Sequence, residues 1–137
     1  MVIIDTSVAY KFFDPDEQEH KIALNILNSH LTGQEVIIIP DLLLYELANA
    51  WSTKTRVTDS QINTNLSDMK EYKLTIENVS FELIAEAIEF SREYKISVYD
   101  AFYAVLAKKN HCNLITADEK FAGRVNQPFI KKLSDYE

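Results

Sequence analysis

Two glycines, one cysteine and three prolines are all that 137 residues contain, and each shortage removes a class of function. With only Gly33 and Gly123, neither a GxGxxG turn nor a GxxxxGK[ST] loop can be assembled, which excludes the common dinucleotide and P-loop nucleotide sites. Cys112 stands alone, so no intramolecular disulfide can form, as expected of a reducing compartment. His20, His30 and His111 have no zinc-ligand spacing, and His111-Cys112 reads as a turn followed by a buried thiol. GxSxG is absent, so no serine has a nucleophile context. No apolar run is long enough to span a bilayer, and the short run after Met1 lacks the basic start and length of a leader. The expectation is a soluble, cytoplasmic protein without a membrane partner. Basic excess is missing too: the net charge is −7, which counts against a broad nucleic-acid surface.

What is present is a core. Apolar residues make up 47% of the chain, and seven Tyr, seven Phe and one Trp argue against disorder. The length fits one domain, 1–137, with no repeat or linker dividing it. Val2-Ile3-Ile4, Val36 to Ile39 and Asn113 to Thr116 read as strands buried on both faces. Leu74 to Ile76 and Phe129 to Leu133 read as weaker, edge-like strands. Helical spacing follows each. Thr6 or Ser7 can cap a helix from Val8 to Phe13, and Asp16 can cap one that Gly33 ends. Leu43, Leu44, Leu47, Ala48 and Trp51 form the apolar side of a helix opening at Pro40-Asp41. Ile62, Leu66, Met69 and Tyr72 do so after Thr58, and Leu83, Ile84, Ala87 and Ile88 after Ser80. Strands alternating with helices predict an α/β domain with a short, mainly parallel sheet.

The richest stretch is Ser97 to Phe121. Ala101, Ala104 and Ala107 make a small-residue stripe, Asp100 lies in the first helical turn, and Asp118 directly follows the strand ending at Thr116. Asp5 ends the first strand, and Glu46 is the one acid in the apolar segment Leu42 to Trp51. Ligand sites of open α/β sheets lie beyond the carboxyl ends of strands. Each acid alone reads equally well as a helix cap or a surface charge. Together in one crevice they would repel one another unless a divalent cation intervened, and Mg2+ suits carboxylate oxygens and retained water. Lys11, Lys54, Arg56, Lys120 and Arg124 lie near these acids in sequence and are candidates for phosphate contact. Tyr99, Phe102 and Tyr103 read first as helix packing and second as base-stacking groups.

The order of these segments matches one family. VIIDTSV, LLLYELANAW, SVYDAFYAVLA and LITADEKF resemble, in turn, the four acidic motifs of the PIN domain, placing its acids at Asp5, Glu46, Asp100 and Asp118. Thr116 matches a hydroxyl position beside the last. Among PIN domains this compact chain looks most like the VapC toxins of toxin–antitoxin pairs. The resemblance implies a three-layer α/β/α fold and a Mg2+- or Mn2+-dependent endoribonuclease that hydrolyses RNA. It also implies a homodimer and neutralisation by a VapB-type antitoxin. It implies that Asp5, Asp100 and Asp118 hold the metal, with Glu46 completing the shell and acting on the attacking water, and that Thr116 orients a carboxylate or a water. The alternative is a catalytically weak PIN module that works by binding its antitoxin. The apolar side of the Asp41 to Tyr72 region is the candidate surface for that partner or for a second copy.

Overall fold

A computed structural model of the chain describes residues 1–54 and 56–136. Its centre is a five-stranded, wholly parallel sheet in the order β3-β2-β1-β4-β5. The strands are β1 (Val2–Ile4), β2 (Ile37–Pro40), β3 (Thr75–Glu77), β4 (Asn113–Thr116) and β5 (Ile130–Lys132). The helices are α1 (Thr6–Lys11), α2 (His20–Leu31), α3 (Leu42–Thr53), α4 (Asp59–Tyr72), α5 (Phe81–Tyr94), α6 (Val98–Lys109) and α7 (Glu119–Val125). Parallel strands need crossovers, and helices supply them on both faces, giving the expected α/β/α layers. The β-branched runs behave accordingly: Ile3, Ile4, Ile37 and Ile39 are fully buried. Each contributes about 1.5–3 kcal/mol against an exposed side chain. Val36 falls outside β2 and is exposed, so that strand starts one residue later than its sequence run.

The alanine stripe of α6 is completely buried, and this helix packs on α5 and across β1, β2 and β4. Small side chains permit that close approach. Three helical faces differ from their sequence reading. In α3 the buried stripe is Leu43, Leu47 and Trp51, a strict i, i+4 row, while Leu44 and Ala48 fall beside it and are exposed. In α5, Leu83, Ala87 and Phe90 are buried and Ile88 is exposed. In α4 the deeply buried side chain is a polar one, Asn65, while Leu66 is 52% exposed.

The caps also shifted. Asp5, rather than Thr6 or Ser7, caps α1 by accepting from the Val8 N–H at 3.3 Å. Asp16 does not cap α2. Its N–H donates to Asp14 Oδ1 at 3.0 Å, closing a local turn, and the helix starts only after Glu19, which takes a left-handed conformation. That competing Asx turn uses up the segment. Gly33, with φ of +78°, sits just past the end of α2 as predicted. His111 takes the expected turn conformation, but Cys112 is only half-buried. Among the described residues no helix is long and apolar enough to cross a membrane.

Candidate active site

Strand order places β1 between β2 and β4, so the chain leaves β1 towards one side of the sheet and reaches β4 from the other. Crevices form at such switch points. Asp5 leaves the end of β1 and Asp118 lies two residues past β4, whose Ile115 pairs with Ile4. Glu46 reaches the same end from α3, and Asp100 from the first turn of α6.

The interior corner is built on Asp5, only 7% exposed. Its Oδ1 accepts from the Ser7 hydroxyl at 2.5 Å as well as from the Val8 N–H. Ser7 Oγ in turn accepts from the Ala117 N–H at 2.9 Å, tying the start of α1 to the segment after β4. Thr116 is fully buried, and its Oγ1 accepts from the Asp118 N–H at 3.0 Å. Burial pushes the Asp5 carboxyl up from 3.8 to about 6. The Ser7 and Thr116 hydroxyls and the Val8 N–H oppose that rise, and the charge of Asp100 adds to it.

The second corner is built on Glu46. Its Oε1 accepts from Thr6 Oγ1 at 2.9 Å and from the Tyr103 hydroxyl at 2.5 Å, and those two hydroxyl oxygens are 2.8 Å apart. Tyr103 is 2% exposed, and burial together with the Glu46 carboxylate drives its pKa strongly upward, so it stays a neutral donor. Asp100 closes the gap between the corners. Its carboxyl is raised by burial and by the charges of Asp118 and Glu46, against a hydrogen bond from Ser97 that lowers it. Asp118 is exposed on the rim and caps α7 through the Phe121 N–H at 3.0 Å. Asp100 and Asp118 line a cleft of about 190 Å³ together with Lys95, Lys120 and Arg124.

The structure thus brings all four predicted acids and Thr116 to one end of the sheet. Ser7, Thr6 and Tyr103 are the additions that sequence reasoning missed. Tyr103 had a signal, since it lies one helical turn from Asp100 and faces the same way. Among the predicted cations, Lys11 is buried and donates to the Gln18 carbonyl at 2.8 Å, so it is already engaged. Arg124 donates to the Lys95 carbonyl at the mouth of the cleft.

The donor set fits a hard divalent cation by its chemistry. The two ion pairs found among the described residues, Met1 with Glu35 and Lys109 with Glu77, involve none of these acids. No side-chain cation among the described residues pairs directly with them; Lys95, Lys120 and Arg124 line the cleft around Asp100 and Asp118. Among the described residues no three Asp, Glu, His or Cys side chains stand close enough to enclose an ion by themselves.

The chain belongs to the PIN domain family, which it matches over residues 2–125. It is 25% identical over 125 residues to the ribonuclease VapC3 of Pyrobaculum aerophilum, covering 88% of this chain and 92% of that one. The fold is also that of a crystal structure from Pyrobaculum aerophilum, with a TM-score of 0.73, 18% identity and coverage of 98% of this chain and 84% of the other. VapBC2 of Rickettsia felis, solved on a DNA fragment from its promoter, aligns with a TM-score of 0.70 and 20% identity over 96% of this chain and 98% of the other. A toxin–antitoxin complex from Klebsiella pneumoniae gives 0.71 and 17% over 97% and 98%.

Proposed function

We propose that this protein is a Mg2+- or Mn2+-dependent endoribonuclease, the toxin of a toxin–antitoxin pair, acting in the cytoplasm. The convergence of Asp5, Glu46, Asp100 and Asp118 on the β1/β4 crevice carries the reading, and the likeness to a VapC ribonuclease and to toxin–antitoxin complexes supports it. Asp5, Asp100 and Asp118 would hold the cation, directly or through water, with Glu46 completing the acidic shell. When bound, it supplies the charge that polarises a phosphodiester and stabilises the leaving oxygen. Everything else falls to the chain. Thr6 and Tyr103 both donate to Glu46 Oε1, which fixes the carboxylate and leaves Oε2 to take a proton from the attacking water. Thr116 holds the backbone of Asp118, and Ser7 holds the carboxylate of Asp5. Lys120 and Arg124 flank the cleft where a phosphate would lie. A VapB-type antitoxin and a second copy of the chain are the partners of this reading. The exposed Leu44, Tyr45 and Leu66 of α3 and α4 offer apolar surface for one of them.

The direct test is cleavage of single-stranded RNA by purified protein with Mg2+ or Mn2+, and its loss with chelator. Asp100→Asn should retain the circular dichroism of the parent and lose cleavage. Cleavage by that variant at the parent rate would overturn the assignment.

A further inference from the structure

We propose that the RNA backbone crosses the acidic crevice along a single track, with the phosphate on either side of the scissile one held by its own cations: Lys95, Lys120 and Arg124 on one side, Lys54 on the other. The inference rests on the nuclease reading for its ligand and goes beyond it in fixing the course of the strand. Asp118 is a shared wall of two clefts. The cleft of about 190 Å³ that holds Asp100 is bounded by the α5–α6 connection, α6 and α7. A shallower groove of about 330 Å³ runs along Thr6, Ser7, Tyr10 and Ala50 to Lys54, on α1 and the end of α3. The rim acid therefore stands between two openings, and each opening carries positive charge.

Charge placement carries the inference. On a chain of net charge −7, Lys54, Lys95, Lys120 and Arg124 stand exposed in the two clefts beside the acids. Among the described residues none of the four forms an ion pair, although Asp100 and Asp118 line the same clefts. Their charge is left for an anion from outside. Two of them are also held in place. Arg124 Nη1 donates to the Lys95 carbonyl at 3.0 Å, which fixes one edge of the guanidinium and leaves its other N–H groups for a phosphate. Lys54 Nζ lies 4.3 Å from the centre of the Tyr10 ring, whose face steadies the ammonium at the groove without cancelling its charge. Lys11 and Glu17 line the groove as well, but Lys11 Nζ is engaged by the Gln18 carbonyl, and the two charges offset each other. Carboxylates repel the scissile phosphate, and contacts to its neighbours supply binding from parts of the strand that do not react. A narrow track of this kind is compatible with an acidic protein, where a broad basic face is not.

Binding of a labelled single-stranded oligoribonucleotide is followed by anisotropy in EDTA over a range of salt concentrations. Each phosphate contact on a single strand contributes about 0.7 to the slope of log K against log salt, so Lys54→Ala and Arg124→Ala should each lower the slope by about 0.7 and the double variant by about 1.4. At about 0.1 M salt each single variant then binds about fivefold more weakly. Lys70→Ala, at an exposed position in the last turn of α4, should change neither slope nor affinity. Cleavage in Mn2+ locates the track. Lys54→Ala and Arg124→Ala should each raise KM. On strands carrying one uncharged methylphosphonate linkage beside the cut, the rise from Lys54→Ala should vanish with the linkage on one side, and the rise from Arg124→Ala with the linkage on the other. This second arm decides if binding in EDTA is too weak to titrate. Unchanged salt slopes, an equal loss in Lys70→Ala, or both rises vanishing with the same linkage overturn the track. Protein that cleaves RNA with any of those results keeps the nuclease reading and loses the track. Protein that shows the expected slopes but cleaves equally in EDTA keeps the track and loses the metal-dependent nuclease. Protein that neither binds nor cleaves loses both.

Discussion

Asp5 and Asp118 occupy equivalent places: each follows one of the two adjacent central strands, and each caps the helix that comes next. Their surroundings are opposite. Asp5 is buried beside Ser7 and Thr116, and its carboxyl is pushed up to about 6. Asp118 stands exposed on the rim with Lys120 and Arg124 near it. Topology puts both acids at the crevice, and burial sets Asp5 against its own charge. The interior acid therefore couples its protonation to stability, and the rim acid is open to solvent.

The sharpest way to break that contrast is to neutralise each acid in turn. Asp5→Asn keeps an oxygen for the Val8 N–H and removes the buried charge, and cleavage should fall by more than about a hundredfold. Stability should move the other way. Because the folded pKa of Asp5 lies above its unfolded value, the folded state binds its proton more tightly, and stability is lost as pH rises from about 4 through about 6. In chelator the parent should lose roughly 2–3 kcal/mol across that window relative to Asp5→Asn. Denaturation of both proteins at pH 4 and pH 7.5 measures it, and parallel pH profiles would contradict the buried-charge account.

Ser7→Ala comes next. It strips Asp5 of its hydroxyl donor and leaves the Ala117 N–H without its acceptor, which should cost about 1–3 kcal/mol by urea denaturation. Tyr103→Phe keeps the ring in the core and removes one donor to Glu46. The expected loss is about 1 kcal/mol, with a clear fall in cleavage rate, because Glu46 is then held by Thr6 alone. Smallest of all in stability is Asp118→Asn. Asn caps a helix as well as Asp does, so the thermal midpoint should barely change while cleavage falls. A large stability loss there would show that the rim acid is structural after all.

Much of this was legible in the chain, and the reasons are physical. Buried parallel strands must be continuous apolar runs, so Val2 to Ile4 and Asn113 to Thr116 declared themselves, and the acids that end them marked the crevice. The partners of those acids did not. Ser7 meets Ala117 across 110 residues of sequence and Tyr103 meets Glu46 across 57, and no local pattern encodes such pairings. Asp16 failed as a cap because the chain turns after Asp14 and the helix starts only at His20, four residues on. Leu66 failed as a core residue because the neighbouring Asn65 takes the inward position on α4.

The claim beneath all of these expectations is that carboxylates from four separate elements share one divalent cation. Calorimetric titration of Mn2+ into chelator-stripped protein tests it most directly, with Asp100→Asn beside the parent. The account predicts saturable heat in the parent and its loss in the variant. Absence of heat in the parent, or identical heat in both proteins, would contradict it.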